Sequence, residues 1–316
     1  FGRTTAAPFN LNHKTKWVMG NHEDGYLYGL EQLILQLRCQ RDSKITLNPR
    51  DWKYRAEGRD CIVAGYIGTA PDLQGKVLRL AKTTSTERFE GTLAGHPAIA
   101  YNSFVHALGV PRLGEAVDAG VVVHVSKQFM LDVAKLMQDD RPQFRKEEAG
   151  LDLNSPFQLL MNDATYLPGV SPEDTISVEI KLKWGYTPPP TEGTHWLKSI
   201  VSRFAMLQYY KKAKGKCSEI SQYCPVELFS GDTKRIEAVL GCVMETPQNN
   251  IRICRGGKLV APVGGSGDTS SAPTCKPLLD AGLQDILGND ASCTPSSFLS
   301  ELLACVLQQP ATGKDE

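Results

Sequence analysis

The sequence predicts an α+β protein, and two observations carry that prediction. Alternating apolar residues bounded by glycine and proline predict a hairpin at 62–80 and a second hairpin about Gly256 and Gly257. Apolar residues three and four positions apart predict helices at 194–216, 230–246 and 295–309. No internal repeat is visible, so each segment is interpreted on its own.

Composition narrows the classes of function. The 316 residues are 41% hydrophobic, enough for a core, and 35 basic side chains balance 35 acidic ones. This balance creates no overall field toward nucleic acid or an anionic membrane, so we expect neither as a partner. Apolar runs are too short for a membrane span, and the first residues lack the apolar core of a signal peptide. Nine cysteines without a C-x-x-C pair indicate reduced thiols in an intracellular protein, cytoplasmic or nuclear. We expect the protein to be a monomer.

Residues 1–50 are predicted to be an N-terminal extension with one helix, "GYLYGLEQLILQLRCQ" at 25–40. The chain begins with Phe1, which indicates a fragment or a processed product. The cluster of His22, Glu23 and Asp24 has metal-ligating side chains but no second ligand group nearby. We therefore interpret it as a solvated turn before the helix.

The hairpin at 62–80 has features of a phosphate-binding element. Gly58 precedes its first strand, where a glycine lets the backbone approach a phosphate closely. Either Lys76 or Arg79 on the second strand could supply a cation. One glycine and one cation are weak evidence alone, because many hairpins contain both.

The middle of the chain alternates between loops and short elements. A polar stretch at 83–103 predicts a loop, and Val121–Val125 predicts a buried strand in which His124 is a core histidine. Ser126 is predicted to cap a helix that buries Phe129, Val133 and Leu136. The apolar segment "FQLLMNDATYL" predicts a strand ending at Asn162 and Asp163.

The segment "TISVEIKLKWGY" at 175–186 begins as a strand and carries three charged residues at a spacing of two. On a strand, Glu179, Lys181 and Lys183 would point to the same side. Such a row is a solvated sheet edge in most proteins, and a ligand-binding face is the alternative.

Three further features are predicted in the second half. The helix at 194–216 is expected to bury a stripe of Trp196, Ile200, Phe204 and Leu207. The next helix is expected to start at a Ser230 cap and stop before Pro247. The glycine-rich stretch 262–275 is interpreted as a linker, because it lacks the strand, helix and lysine of a phosphate loop.

The order of these pieces is typical of kinase-like folds. A hairpin with a phosphate-approaching loop is followed by a segment ending in "NDA" and then by a charged strand. In kinase-like folds the adenine lies against a hinge strand and the phosphates lie under the hairpin.

Nine segments carry a resemblance to one family. In chain order they are "DWKYRAEG", "GKVLRL", "DAGVVVHVSKQF", "RPQFR", "LLMNDAT", "SVEIKLK", "VSRFAMLQ", "ELFSGD" and "TPQNNIRI". Over residues 51–305 the chain resembles the inositol-pentakisphosphate 2-kinase family. Nine segments in one order make coincidence in an unrelated α+β domain a poor explanation.

The resemblance implies a two-lobe, kinase-like architecture and a set of site residues. It implies a strand-rich ATP lobe and hinge at 51–170, and part of a helical and stranded inositol-binding lobe at 171–316. The nucleotide residues it implies are Gly58, Arg59, Asp60, Cys61, Arg79, Asn162, Asp163, Glu179 and Lys181. The inositol phosphate residues it implies are Arg145, Lys183, Arg203, Lys211, Asn249 and Arg252. Cations from distant segments suit a polyphosphate, whose desolvation only several converging charges can offset.

The implied activity is transfer of the γ-phosphoryl group of ATP, with Mg²⁺, to the 2-hydroxyl of inositol pentakisphosphate. The family's loop runs G-E-G-x-A-N, whereas here Arg59, Asp60 and Cys61 follow Gly58, and Leu182 replaces the proline of E-x-K-P-K. The family continues beyond the point matched by Gln308, and that continuation supplies a catalytic aspartate, a magnesium-binding aspartate and a zinc site. None of these is identifiable here, so the catalytic residues are unknown, and an inositol polyphosphate or nucleotide binder without catalytic activity is the alternative.

Overall fold

The computed structural model describes residues 47–86, 96–261, 276–277, 279–281, 284 and 294–307. The chain forms two compact units, with the boundary between Asp163 and Ala164. Each unit contains helices and an antiparallel sheet, so the predicted α+β class is confirmed. The predicted helix at 25–40, the turn at His22 and the linker at 262–275 lie outside the described residues.

The first unit contains a five-stranded antiparallel sheet in the order β1-β2-β3-β5-β4. The predicted hairpin is confirmed as β2 and β3, and β1 is an additional strand beside it. The strand predicted to end at Asn162 is β5. The strands are β1 (Trp52–Glu57), β2 (Cys61–Tyr66), β3 (Lys76–Ala81), β4 (Val121–His124) and β5 (Phe157–Asn162).

Helices lie on both faces of this sheet. The prediction of a loop over 83–103 is wrong, because Pro97 starts a helix there at a position where its missing N–H costs nothing. The Ser126 cap is confirmed, since its Oγ accepts a hydrogen bond from the Phe129 N–H at 3.1 Å. The helices are α1 (Thr83–Thr86), α2 (Pro97–Phe104), α3 (Val110–Leu113), α4 (Lys127–Met137) and α5 (Gln143–Glu148).

Helix α4 covers one face of the sheet. It buries Phe129, Met130, Val133 and Met137 against strand residues such as Leu78. The prediction for Leu136 is wrong, because Met130 and Met137 take the core-facing positions and Leu136 is exposed.

The opposite face of the sheet is covered at one end by α2, where Ala98 packs with Val122 and Leu159. The prediction of a core histidine is wrong, since His124 is exposed at the end of β4. Its ring instead meets the Phe157 ring edge to face, with the centroids 5.6 Å apart.

The second unit contains a three-stranded antiparallel sheet, β6-β7-β8, with helices around it. The hairpin about Gly256 and Gly257 is confirmed as β7 and β8, and the last predicted helix is confirmed as α10. The strands are β6 (Ile176–Ile180), β7 (Ile251–Arg255) and β8 (Lys258–Ala261). The helices are α6 (Trp196–Ile200), α7 (Arg203–Ala213), α8 (Pro225–Leu228), α9 (Thr233–Glu245) and α10 (Pro295–Leu307).

The single helix predicted at 194–216 is two helices. Val201 is extended and ends α6, and Ser202 caps α7 by accepting a hydrogen bond from the Ala205 N–H at 3.2 Å. The break rotates the predicted apolar stripe out of register, so Phe204 is its only buried member. Trp196, Ile200 and Leu207 are exposed.

The cap predicted for the next helix is also wrong. Asp232, not Ser230, accepts the hydrogen bond from the Arg235 N–H at 3.0 Å and caps α9. The helix stops at Glu245, before Pro247 as predicted. Its apolar side, including Ile236 and Leu240, forms the core of the second unit with residues of α10 and β7. Among the residues that the structure describes, no helix has both the length and the apolar character to cross a bilayer.

Candidate functional site

The loop between β1 and β2 is the predicted phosphate-approaching element. Its backbone turns through Gly58, whose N–H donates to the Cys61 carbonyl oxygen at 3.0 Å. A Cβ at Gly58 would meet no atom within 4 Å, so the glycine opens space beside the loop rather than fitting against the protein. Arg59 is exposed at the tip. The Gly58 N–H is already bonded within the loop, so what the glycine offers an approaching anion is open space.

Three buried charged side chains, which we call the buried ion cluster, lie behind this loop. They are Glu57, Lys82 and Arg141, and their side chains are 1%, 0% and 6% exposed. Lys82 Nζ lies 3.1 Å from the Glu57 carboxylate and donates to the Gly58 carbonyl oxygen at 3.3 Å. Arg141 binds both carboxylate oxygens, at 3.0 and 2.9 Å. The cluster therefore fixes the start of the loop.

The charges of this cluster decide the ionisation of Glu57. Burial alone would raise the pKa of its carboxyl group, because burial disfavours the charged form. Hydrogen bonds from Arg141 and Lys82, together with their positive charges, outweigh burial and lower the pKa below its ordinary value. Glu57 is thus held as a carboxylate.

The cluster continues to Arg145, one of the residues implied to bind inositol phosphate. Arg145 pairs with Glu148 at 2.6 Å on α5, and Glu148 lies 3.7 Å from Lys82. Arg141 also donates to the carbonyl oxygens of Arg145 and Ala149, at 3.1 and 2.7 Å. The phosphate-approaching loop and the segment that carries Arg145 are therefore bound to the same buried charges.

A cavity of about 430 Å³ lies between α2 and the sheet face that carries Arg79. Arg79 Nε lies 3.5 Å from the Cys61 Sγ, and the guanidinium group lies 4.8 Å from the centre of the Tyr101 ring. The structure thus brings together three of the residues implied to bind nucleotide, Asp60, Cys61 and Arg79, in the wall of one cavity. The sequence offered Lys76 or Arg79 as the cation of the hairpin, and Arg79 is the one that lines the cavity.

Lys76 instead contacts the Asn162 side-chain oxygen at the end of β5. The neighbouring Asp163 donates its N–H to the Gly75 carbonyl oxygen at 2.8 Å, and its carboxylate pairs with Arg55 Nη2 at 3.0 Å. Arg55 was not predicted to take part in the site. Its position directly before the "AEG" of the loop was the only signal in the sequence, and its partner lies 108 residues away.

The charged row of Glu179, Lys181 and Lys183 belongs to the second unit. In the structure these three residues do not continue one strand. Glu179 lies on β6 opposite Arg252 of β7, with 3.9 Å between Oε2 and Nη1. Lys181 follows the strand and donates its N–H to the Asn250 carbonyl oxygen at 2.8 Å. The prediction that Lys183 continues the row is wrong, because its φ of 57° is left-handed and ends the alternation.

Lys183 belongs to a set of three lysines, which we call the basic group: Lys181, Lys183 and Lys211. Its Nζ lies 5.7 Å from the centre of the Phe204 ring. Desolvation, and then the positive charges of Lys181 and Lys211, lower the pKa of Lys183 below its ordinary value. A bound anion would stabilise the charged form of Lys183.

Two glutamines connect the elements that carry the remaining cations. Gln208 of α7 and Gln248 are both buried, and their side-chain amides exchange hydrogen bonds of 3.1 and 2.8 Å. Gln248 has a φ of 44°, in the left-handed region. The pair joins α7, with Arg203 and Lys211, to the turn that carries Asn249, and β7 with Arg252 follows that turn. All three of Arg203, Asn249 and Arg252 have exposed side chains.

These features define a class: an α+β protein whose first unit combines a glycine loop with an arginine-lined cavity, and whose second unit carries clustered cations. Both are arrangements for anionic ligands. Arg145 lies in the first unit, and the other five residues implied for the inositol phosphate lie in the second. Among the described residues no three His, Cys, Asp or Glu side chains are grouped so as to hold a metal ion.

The family model described as inositol-pentakisphosphate 2-kinase matches residues 54–312. Inositol-pentakisphosphate 2-kinase of Arabidopsis thaliana is 35% identical over 248 residues, which cover 70% of this chain and 54% of that protein. The Danio rerio protein of the same name is 34% identical over 227 residues, covering 68% and 45%. That of Oryza sativa subsp. indica is 33% identical over 253 residues, covering 70% and 55%. The chain belongs to the inositol-pentakisphosphate 2-kinase family, and it spans about half the length of the curated relatives it matches.

Proposed function

We propose that this chain is part of an ATP-dependent kinase that phosphorylates the 2-hydroxyl of inositol pentakisphosphate to give inositol hexakisphosphate, phytate. Its membership of the family supports the reaction class. The basic group about Lys183 is the observation that supports inositol pentakisphosphate as the substrate. Lys183, whose charged form is disfavoured by desolvation and by the positive charges of Lys181 and Lys211, suits a ligand with several phosphates.

In this proposal the architecture is kinase-like. Residues 51–170 form an ATP lobe and hinge, and 171–316 form part of an inositol-binding lobe. The antiparallel sheet of the first unit, with its glycine loop between β1 and β2, supports this assignment. Phosphoryl transfer depends mainly on positioning and on neutralising charge, which the loop and the neighbouring cations would supply.

The proposed nucleotide site uses the cavity wall and the end of β5. Arg79 lies half-buried beside Cys61 and Asp60, where a guanidinium group could pair with phosphate oxygens. Gly58 and Arg59 would approach the phosphates from the loop, and the "ND" pair at the end of β5 would hold adenine and ribose. Glu179 and Lys181 lie in the second unit, and their assignment to the nucleotide comes from the family resemblance alone.

The proposed inositol phosphate ligands are cations on different elements. Lys183 and Lys211 belong to the basic group, and the exposed Arg203, Asn249 and Arg252 lie on the elements that the glutamine pair connects. Arg145 comes from the first unit, and its carboxylate partner Glu148 is a group that a phosphate could replace.

Transfer would form a bond from the 2-hydroxyl oxygen to the γ-phosphorus and break the bond from that phosphorus to the bridging oxygen of ADP. The hydroxyl proton must pass to a base, which is not assigned to any residue here. Mg²⁺ is proposed from the chemistry of phosphoryl transfer, in which it neutralises developing charge.

The alternative of a binder without catalytic activity is not favoured by the names of the relatives. Because the chain spans about half of their length, the carboxylates missing from its 316 residues do not argue for it. We also propose a monomer in the cytoplasm or nucleus.

Isothermal titration of the purified chain with inositol pentakisphosphate and separately with ATP and Mg²⁺, followed by a phosphoryl-transfer assay, tests the proposal. We expect Lys183→Ala to abolish inositol phosphate binding and to spare ATP binding. Lys198→Ala, which removes an exposed lysine of α6, is the matched control. Equal affinity of the wild type and Lys183→Ala would refute the assigned site, and failure to bind either ligand would refute the proposed function for this chain.

A further inference from the structure

Arg55 of β1 reaches a residue that lies three strands away in the sheet order. Its Nη2 is 3.0 Å from the Asp163 Oδ2, yet β2 and β3 separate β1 from β5, whose last residue precedes Asp163. The side chain therefore crosses the sheet surface rather than pairing with a neighbouring strand.

Gly65 of β2 makes this crossing possible. A Cβ at Gly65 would lie 2.6 Å from Arg55 Nε and 3.0 Å from Arg55 Cγ. Both distances are shorter than ordinary van der Waals contacts. The φ of Gly65 lies outside the left-handed range, so its backbone conformation does not require glycine. A Cβ at Gly65 would therefore have to displace the Arg55 side chain from its present path.

The crossing occurs on the face of the sheet that carries Arg79. Gly65 pairs with Val77, and Val63 pairs with Arg79, two residues along each strand. Residues two apart on a strand share a face, so Arg55 lies over the same face as Arg79. The pair thus extends from the strand before the glycine loop to the proposed hinge residue.

Stability is a poor explanation for this pair. The Arg55 side chain is 41% exposed and that of Asp163 is 10% exposed. Partly exposed ion pairs contribute little to stability because solvent screens them. A guanidinium group does, however, fix the direction of a carboxylate, because its planar donors allow few geometries.

We propose that Arg55 is a positioning residue of the nucleotide site, which crosses β2 at Gly65 to fix the carboxylate of Asp163. This inference rests on the proposed function, in which Asp163 contacts the nucleotide. Arg55 acts through Asp163, so its loss should weaken nucleotide binding and leave inositol phosphate binding unchanged.

The test is titration of the 316-residue chain and its variants with ATP and Mg²⁺, and separately with inositol pentakisphosphate. We expect Arg55→Ala to weaken ATP binding about tenfold, the size of a typical coupling between contacting residues. Arg55→Lys keeps the charge but lacks the planar donors, and should have an intermediate effect. Arg50→Ala, at an exposed arginine just before β1, is the matched control and should bind ATP as the wild type does.

Gly65→Ala gives an independent test, because it leaves both charged residues in place and displaces the Arg55 side chain. It should weaken ATP binding in the wild-type background and have little further effect in Arg55→Ala, where the obstructed side chain is absent. Gly150→Ala is its control, since a Cβ there meets no atom within 4 Å.

The outcomes separate this inference from the proposed function. If the wild type binds ATP and Arg55→Ala binds it equally well, the inference is overturned and the proposed function stands. If Arg55→Ala weakens both ligands in parallel with a lower Tm, the role is structural and the inference is again overturned. A wild-type chain that binds inositol pentakisphosphate but no ATP would overturn both the inference and the nucleotide half of the proposed function.

Discussion

Arg141 holds Glu57 by both carboxylate oxygens, at 3.0 and 2.9 Å, although 84 residues separate them in the sequence. The same guanidinium group donates to two carbonyl oxygens of the segment that carries Arg145. Glu57 directly precedes the glycine of the proposed phosphate loop. One buried arginine therefore links that loop to a proposed inositol phosphate ligand within the first unit.

Removing the charge of Glu57 should destabilise the first unit strongly. Glu57→Gln keeps the size of the side chain but removes the buried carboxylate with which both Lys82 and Arg141 pair, at a cost of about 3 kcal/mol. Urea unfolding followed by circular dichroism measures this as a lower midpoint. Asp139→Asn, at an exposed carboxylate, is the control, and an equal shift in the two variants would contradict the buried-cluster interpretation.

The same cluster predicts a pH dependence. The pKa of Glu57 is lower in the folded protein than its ordinary value of 4.5, so the unfolded chain binds more protons between the two values. The contribution of Glu57 to stability should be complete well above pH 4.5 and lost as the pH falls below it. The difference in unfolding free energy between wild type and Glu57→Gln should therefore shrink from pH 6 to pH 3. A difference that stays constant over this range would contradict the lowered pKa.

Local patterns in the sequence predicted the parts of the site that depend on neighbouring residues. The hairpin, the glycine before it and the Ser126 cap each follow from a few adjacent residues, and each was found where it was predicted. The long-range ion pairs of the first unit were not predicted. Arg55 and Asp163, for example, come together only because the sheet places β1 and the end of β5 near each other. Spacing along the chain carries no signal for such a contact.

The second half shows how a local pattern misleads. Apolar spacing of three and four continues through Ser202, so it predicted one helix at 194–216. The hydroxyl of Ser202 instead satisfies a backbone donor and starts a new helix. The left-handed backbone at Lys183 could not be predicted either, because such a conformation is usually indicated by a glycine and this position is a lysine.

The amide pair of Gln208 and Gln248 should be sensitive to loss of either partner. Gln208→Leu leaves the buried Gln248 amide without its main partner, and a buried unsatisfied polar group costs about 1–3 kcal/mol. Because Gln248 is also left-handed, we expect inositol phosphate affinity to fall as the turn with Asn249 relaxes. Urea unfolding and titration with inositol pentakisphosphate measure the two effects.

Gln222→Leu, at a glutamine outside this pair, is the matched control for that experiment. A Gln208→Leu chain with the wild-type unfolding midpoint and affinity would show that the pair does not support the turn.

The charge of Lys183 should make polyphosphate binding depend on pH in the alkaline range. Its pKa lies below 10.5 because of desolvation and the charges of Lys181 and Lys211, and a bound polyanion favours the protonated form. Binding therefore takes up protons, and affinity for inositol pentakisphosphate should fall as the pH rises from 8 toward 10. The second pKa of an isolated phosphate is about 6, and repulsion between neighbouring phosphates raises it, so ionisation of the ligand also changes in this range and must be separated from that of Lys183.

Two variants separate Lys183 from the other titrating groups. Lys183→Arg stays charged throughout and should flatten the pH profile. Lys211→Gln removes a like charge, so it should raise the pKa of Lys183 and move the loss of affinity to higher pH, while lowering affinity at pH 8. Lys198→Gln should leave the profile in place. If Lys183→Arg loses affinity with the same pH profile as the wild type, another group controls the titration, and the role assigned to the charge of Lys183 is wrong.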